Sequence, residues 1–335
     1  MKNSLMHLPK AELHLHIEGT LEPELILELA ARNGITLPFP SLEALREQYE
    51  FSDLQSFLNL YYANMAVLIT EADFADMTRA YLRRAKECGV RHAEIMFDPQ
   101  AHLARGIALE TVVDGIHSAL SSSEAEFGIS TGLIAAFLRD ETEDSALAVL
   151  EELLAIDAPI IGIGLDSAEV GNPPSKFIRL FQRARDAGLR LVAHAGEEGP
   201  ASYVVDALDL LGVERIDHGI RSVEDPALVA RLVAEQIPLT VCPLSNVRLR
   251  AVDTLAEHPL PHMLAAGMNV SVNSDDPAYF GGYAGTNFEQ LEDVFGWGAA
   301  AALTLAGNSV RSSFASQERK NELLADIEQW GAAQD

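Results

Sequence analysis

The sequence predicts a (β/α)8 barrel of the TIM type, a single domain over residues 1–335 with additional helices after the first strand. Three observations lead there. Eight short apolar or β-branched runs alternate with longer stretches of helical periodicity. No low-complexity linker divides the chain, and 335 residues at 48% hydrophobic content can bury one large core. No glycine-rich phosphate loop follows the first strand, which argues against a doubly wound open sheet.

The elements follow in order. The first strand is expected at 11–17, and an amphipathic helix at about 22–33 has Pro23 in its first turn and Gly34 after its end. The segment from Thr36 to Leu68 is longer than one connecting helix and carries Phe39, Phe51, Phe57, Tyr61 and Tyr62. It reads equally as a lid over the pocket or as an extra helix packed on the barrel rim. A second clear helix runs from Thr70 to Cys88, with Thr70 as cap, Asp73 supporting it and Gly89 stopping it. The remaining strands are expected at 91–97, 130–137, 159–165, 190–195, 214–218, 238–243 and 268–274.

Composition narrows the function. With 24 basic against 50 acidic residues the formal charge is −26, so nucleic acid and anionic membranes are poor partners. Two cysteines, Cys88 and Cys242, make neither a disulfide framework nor a thiolate metal site. The N-terminal residues lack the apolar run of a signal peptide, and no run of about 18 uncharged apolar residues occurs. A cytoplasmic location is the expectation.

The chemistry sits at strand ends. In His14-Leu15-His16 alternate residues of a strand share a face, so both imidazoles point into the barrel and form a chelating pair. His194 closes the fifth strand with Glu197 three residues later, His218 closes the sixth, and Asp275 and Asp276 close the eighth. All lie at C-terminal strand ends, where this architecture assembles its active sites. Buried, hydrogen-bonded histidines are the bland alternative, but so many converging positions argue against it. The nitrogen and oxygen donor set suits Zn2+, with Fe2+ or Mn2+ as substitutes. The fourth strand offers no lysine to bridge a second metal, so one ion per chain is expected.

The motifs HLHIEG from His14, HAGEEGP from His194, IDHG from Ile216, CPLSN from Cys242 and NSDDPAYFGGY from Asn273 together resemble the adenosine/adenine deaminase family of the amidohydrolase superfamily. The resemblance spans the chain from first strand to last. It implies that His14, His16, His194 and Asp275 bind zinc, that Glu197 is the proton donor, and that His218 is a catalytic histidine beside the metal-bound water. It implies Asp276 as a purine contact, accepting a ring N–H at N7, and Ser167 as a further substrate contact. Deamination at C6 needs a strong nucleophile at neutral pH and a protonated acid for N1, which an enclosed pocket supplies by raising the pKa of Glu197.

Where nucleoside-acting relatives carry aspartate in the first-strand motif, this chain has Glu18. A longer carboxylate would occupy sugar space and contact the purine edge, so adenine, the free base, is expected over adenosine, with N6-substituted adenines as an alternative. A metal-dependent phosphoesterase is disfavoured because no phosphate cradle is evident. A catalytically inactive purine-binding protein is disfavoured because the constellation is intact. The oligomeric state is not legible.

Overall fold

The computed structural model describes residues 5–334. Eight strands, β1 (Lys10–Glu12), β2 (Val90–Phe97), β3 (Ser130–Leu138), β4 (Ile160–Asp166), β5 (Arg190–Ala195), β6 (Arg215–His218), β7 (Leu239–Val241) and β8 (Val270–Val272), pair in parallel in sequence order. Helices fill the connections, as the alternating pattern predicts. The helix at Pro23–Asn33 ends on Gly34 in the left-handed conformation (φ 65°). The helix at Glu71–Glu87 starts as expected, although Asp73 does most of the capping. Its Oδ2 accepts from the Thr70 amide at 2.7 Å and from the Thr70 hydroxyl at 2.9 Å.

β1 and β8 are shorter than the sequence suggests, because side chains replace ladder bonds where the two strands meet. Asn273 Oδ1 accepts from the Leu13 amide at 2.8 Å, and Ser309 Oγ accepts from the Ala11 amide at 3.0 Å. Pairing resumes at the barrel mouth, where Leu15 bridges Asp275 and His16 bridges Met96. There the His16 amide donates to Asp275 O at 3.0 Å, and the Asp275 amide donates to His14 O at 3.1 Å.

Period-two alternation sorts the strand residues. Met96, Ile134, Ala136 and Val192 form a small interior cluster, while Ile95, Phe97, Leu133, Ala135, Phe137, Leu191 and Ala193 belong to the large layer shared with the helices. Toward the N-terminal end the interior is closed by charge. Arg215 and Glu94, both fully buried, pair at 2.6 Å, and the guanidinium lies 4.6 Å from the centroid of the Phe314 ring. Burial alone would raise the Glu94 pKa, but Arg215 and His92 pull it down to about 2.

The segment from 36 to 68 forms helices at Leu42–Arg46 and Leu54–Asn64. Leu54, Phe57, Leu58, Tyr61 and Tyr62 of the second helix roof a cavity at the C-terminal mouth. An aromatic cluster anchors this roof, with Phe57 4.6 Å from Phe280 and Tyr49 stacked 4.8 Å from Tyr279. Among the described residues, no helix is long and apolar enough to cross a membrane.

Removing one partner of the interior pair strands the other in low dielectric. Arg215→Met is expected to cost about 3–5 kcal/mol at neutral pH, and Arg215→Met with Glu94→Leu to recover most of it, read from urea unfolding. Because the folded-state pKa of Glu94 is depressed, the pair's contribution is full above the ordinary 4.5 and is lost as pH falls toward about 2. The single variant's deficit should therefore shrink over that window.

Candidate active site

Three imidazoles and one carboxylate converge at the mouth. His194 Nε2 lies 3.1 Å from His14 Nε2 and 3.2 Å from His16 Nε2. Asp275 Oδ1 lies 3.1 Å from His14 Nε2 and 3.5 Å from His16 Nε2. A tetrahedral shell of nitrogen and oxygen ligands about 2.1 Å from its ion has edges of about 3.4 Å. These four distances are close to the edges of a coordination shell; His14, His194, His218 and Asp275 form a buried cluster able to hold a metal, and His16 joins Asp275 and Asp276 in an adjoining one.

The far side of each ring supports this reading. His14 Nδ1 sits 3.1 Å from the Thr240 carbonyl, which only accepts, so Nδ1 carries the proton and Nε2 offers its lone pair to the cluster. His16 Nδ1 faces Asp166 Oδ2 at 3.5 Å, and His194 Nδ1 faces Asp217 Oδ2 at 3.6 Å. Burial, reinforced by the neighbouring imidazoles, holds His194 well below the ordinary histidine range.

His218 also lies within the cluster but is turned differently. Its Nε2 is 3.8 Å from the other Asp275 oxygen, Oδ2, and 3.4 Å from Glu197 Oε2. A relay sets its tautomer. The Leu260 amide donates to His258 Nδ1 at 3.0 Å, which leaves the proton on His258 Nε2 to reach Asn246 Oδ1 at 3.2 Å. Asn246 Nδ2 then donates to Glu197 Oε1 at 2.9 Å and to His218 Nδ1 at 3.2 Å. A neutral His218 therefore carries its proton on Nε2 and can donate toward the cluster. Burial and the nearby His14 push its pKa down to about 3.

Glu197 lines the cavity, whereas Glu198 is only half-buried and does not. The loop that carries Glu197 is pinned by Glu169. The Glu169 carboxylate accepts from the backbone amides of Gly196, Glu197, Glu198 and Gly199 at 2.6–3.0 Å. Burial, then the charges of Asp275 and Glu169, hold the Glu197 pKa well above the carboxylate range, so it can keep a proton at neutral pH.

Asp276 lines the cavity with a buried Oδ1 that has no hydrogen-bond partner among the described residues. Gly19 is required beside it, since a Cβ at that position would collide with the Asp276 side chain. Burial and the surrounding carboxyls Asp275 and Asp98 also push Asp276 well up, which equips it to donate an O–H rather than only to accept. Ser167, Asp275 and His218 all adopt left-handed backbone, with φ of 68°, 64° and 65°. Such conformations are uncommon outside glycine and gather at functional sites. Here they end β4, β8 and β6.

Glu18 is placed differently from expectation. It is fully buried and does not line the cavity. Its Oε1 instead takes the Asp98 amide at 3.1 Å and His102 Nε2 at 2.7 Å. Two further carboxyls form the wall, Asp98 and Asp166, which the motif reading missed. Their signal was available: Asp98 continues the inward register of Glu94 and Met96, and Asp166 closes β4 in register with Gly162 and Gly164. Asn246, quoted within CPLSN but given no role, and Asp217 were missed likewise.

The adenosine deaminase family model matches residues 9–330. An adenine deaminase from Streptomyces coelicolor is 62% identical over 328 residues, covering 97% of this chain and 96% of that protein. The crystal structure of an adenine deaminase from Arthrobacter aurescens superposes with a TM-score of 0.96 at 71% identity, covering 96% of this chain and 98% of that one. An amidohydrolase from Burkholderia ambifaria, solved with bound Zn, superposes with a TM-score of 0.90 at 29% identity, covering 99% of this chain and 94% of that one. With the motifs, the barrel and the His/Asp cluster in agreement, this chain belongs to the adenosine deaminase family.

Proposed function

We infer that this chain is an adenine deaminase, converting adenine and water to hypoxanthine and ammonia. The observation that carries the reading is the junction of two features in one cavity: a metal-ready cluster, and beside it the buried acids Glu197 and Asp276. Identity with adenine deaminases over nearly the full chain points the same way.

His14, His16, His194 and Asp275 are the proposed ligands of one zinc ion, consistent with their spacing, their donor types and the Zn-bearing relative. Zinc held there would supply a hydrolytic nucleophile near neutral pH and polarise the reacting carbon. The remaining work falls to the chain's own side chains. Asn246 occupies Glu197 Oε1, so the transferable proton of Glu197 sits on Oε2. From there it passes to N1 of the purine, which makes C6 electrophilic, and it remains on N1 in hypoxanthine. Water supplies two protons, one restoring Glu197 and one leaving with the amino group as ammonia. His218, with its proton on Nε2, steadies charge developing at C6. Asp276 faces N7, where a protonated carboxyl can donate to the bare ring nitrogen of the N9–H tautomer. Ser167, 3.4 Å from the Tyr62 hydroxyl, completes the wall toward the pyrimidine edge.

Ultraviolet-monitored assays of zinc-loaded protein should show adenine turning over and adenosine at least about 100-fold slower; comparable rates on adenosine would refute the base preference. Glu197→Gln keeps the Asn246 contact but has no transferable proton, so kcat should fall about 10²–10⁴-fold with little change in metal content. Near-normal kcat in that variant would remove Glu197 as the acid. Asp275→Ala should lose zinc and activity together, measured by elemental analysis and assay on the same sample. An active, metal-free variant would overturn the ligand assignment.

A further inference from the structure

The cavity wall contains a carboxyl that the reaction above does not use. Asp98 is 2% exposed and lines the cavity; its carboxyl pairs with that of Asp166, and among the described residues no N–H or other hydroxyl donor reaches its buried Oδ1. The nearest basic nitrogen, His16 Nδ1, is 3.8 Å away, beyond hydrogen-bond reach. The Asp166 carboxyl lies alongside, facing the same ring nitrogen at 3.5 Å. Asp98 Oδ2 receives the Tyr61 hydroxyl of the roof at 3.3 Å. A buried acceptor that no N–H of the protein reaches, on a residue lining a ligand cavity, is costly unless the ligand satisfies it.

The residue is held in place from behind. Arg105 Nη2 donates to His102 Nδ1 at 2.8 Å, and arginine can only donate, so His102 carries its proton on Nε2. That proton goes to Glu18 Oε1 at 2.7 Å, and the same oxygen accepts the Asp98 amide at 3.1 Å. The chain from Arg105 through His102 and Glu18 fixes the backbone of Asp98 and explains why Glu18 is buried behind the cavity wall.

Purine geometry then selects what the open oxygen meets. N1 and N7 flank C6, and N9 follows N7 across C8 on the imidazole edge. With C6 at the His/Asp cluster, N1 at Glu197 and N7 at Asp276, the imidazole edge runs on from Asp276, and Asp276 and Asp98 both gather around His16. Resting on the proposed adenine chemistry, we propose that Asp98 Oδ1 accepts the N9–H that a free base carries and a nucleoside lacks. Asp98 is thereby the residue that sets base over nucleoside, and Glu18 is its positioning residue. In a nucleoside N9 bears C1′, which leaves the Asp98 oxygen unpaired against carbon.

The test uses 9-methyladenine, which replaces only that N–H and adds far less bulk than ribose. Zinc-loaded wild-type protein should show kcat/KM for 9-methyladenine at least about 10²-fold below adenine. Asp98→Ala, with zinc content checked, should lower kcat/KM for adenine and narrow the adenine/9-methyladenine ratio to within about tenfold. Asp98→Asn, which keeps an acceptor oxygen, should preserve most of the ratio. Equal use of both compounds by the wild type would overturn the proposal without any variant being needed. A ratio unchanged in Asp98→Ala, with both rates reduced alike, would also overturn it, and would assign Asp98 a structural role beside His16. Zinc-loaded wild type inactive on adenine but active on adenosine or an N6-substituted adenine would instead refute the parent reading, and this inference with it.

Discussion

The barrel closes through the backbone of the same residues whose side chains converge at its mouth. The His16 amide binds Asp275 O, and the Asp275 amide binds His14 O, so the last ladder rung between the first and eighth strands is made by three members of the cluster. Closing the barrel and aligning the proposed ligands are therefore one event. Nearby, Asn273 and Ser309 stand in for missing strand bonds, which lets β1 and β8 bend without orphaning amides. Left-handed backbone at Asp275 then ends the eighth strand, and Ser245 holds its carboxylate at 2.6 Å.

That closure concentrates ionisable groups in a low-dielectric mouth, which would be unfavourable if they stood alone. Three devices offset it. Burial first, then the charge of neighbouring carboxyls, drives Glu197, Asp276, Asp98 and Asp166 toward their neutral forms. Oriented backbone amides neutralise others, most plainly the four that cradle Glu169. Fixed cations close the assembly from behind, with Arg139 Nη1 donating to the His194 carbonyl at 2.7 Å and Arg215 seated on Glu94. The same low dielectric that demands these partners allows Glu197 to serve as an acid near neutral pH.

Much of this was legible in the chain. Alternating strand and helix patterns predicted the eight strands to within a few residues, because burial on both faces of a parallel barrel leaves short apolar runs that are hard to mistake in series. The motifs predicted which histidines and acids meet. Asp98 and Asp166 were legible in principle from the period-two register that identified His14 and His16, but a lone aspartate at a strand end carries no distinctive spacing. Glu18 sits behind the cavity wall and not on it, since a side chain's reach is set by its partners, and His102 and Arg105 come from a helix and loop far along the chain.

The sequence by itself determined the fold class, the family and the residue types gathered at the mouth, because periodicity and local motifs encode which side of each strand is buried. Only the tertiary structure decided the tautomers, the protonation of the acids and which carboxyl faces the cavity. Those depend on hydrogen bonds and burial supplied by elements remote in sequence: Asn246 and His258 for His218, Glu169 for Glu197, and Glu18 for Asp98. A strand's alternation states that a side chain points inward; what it meets there is set by the other seven strands.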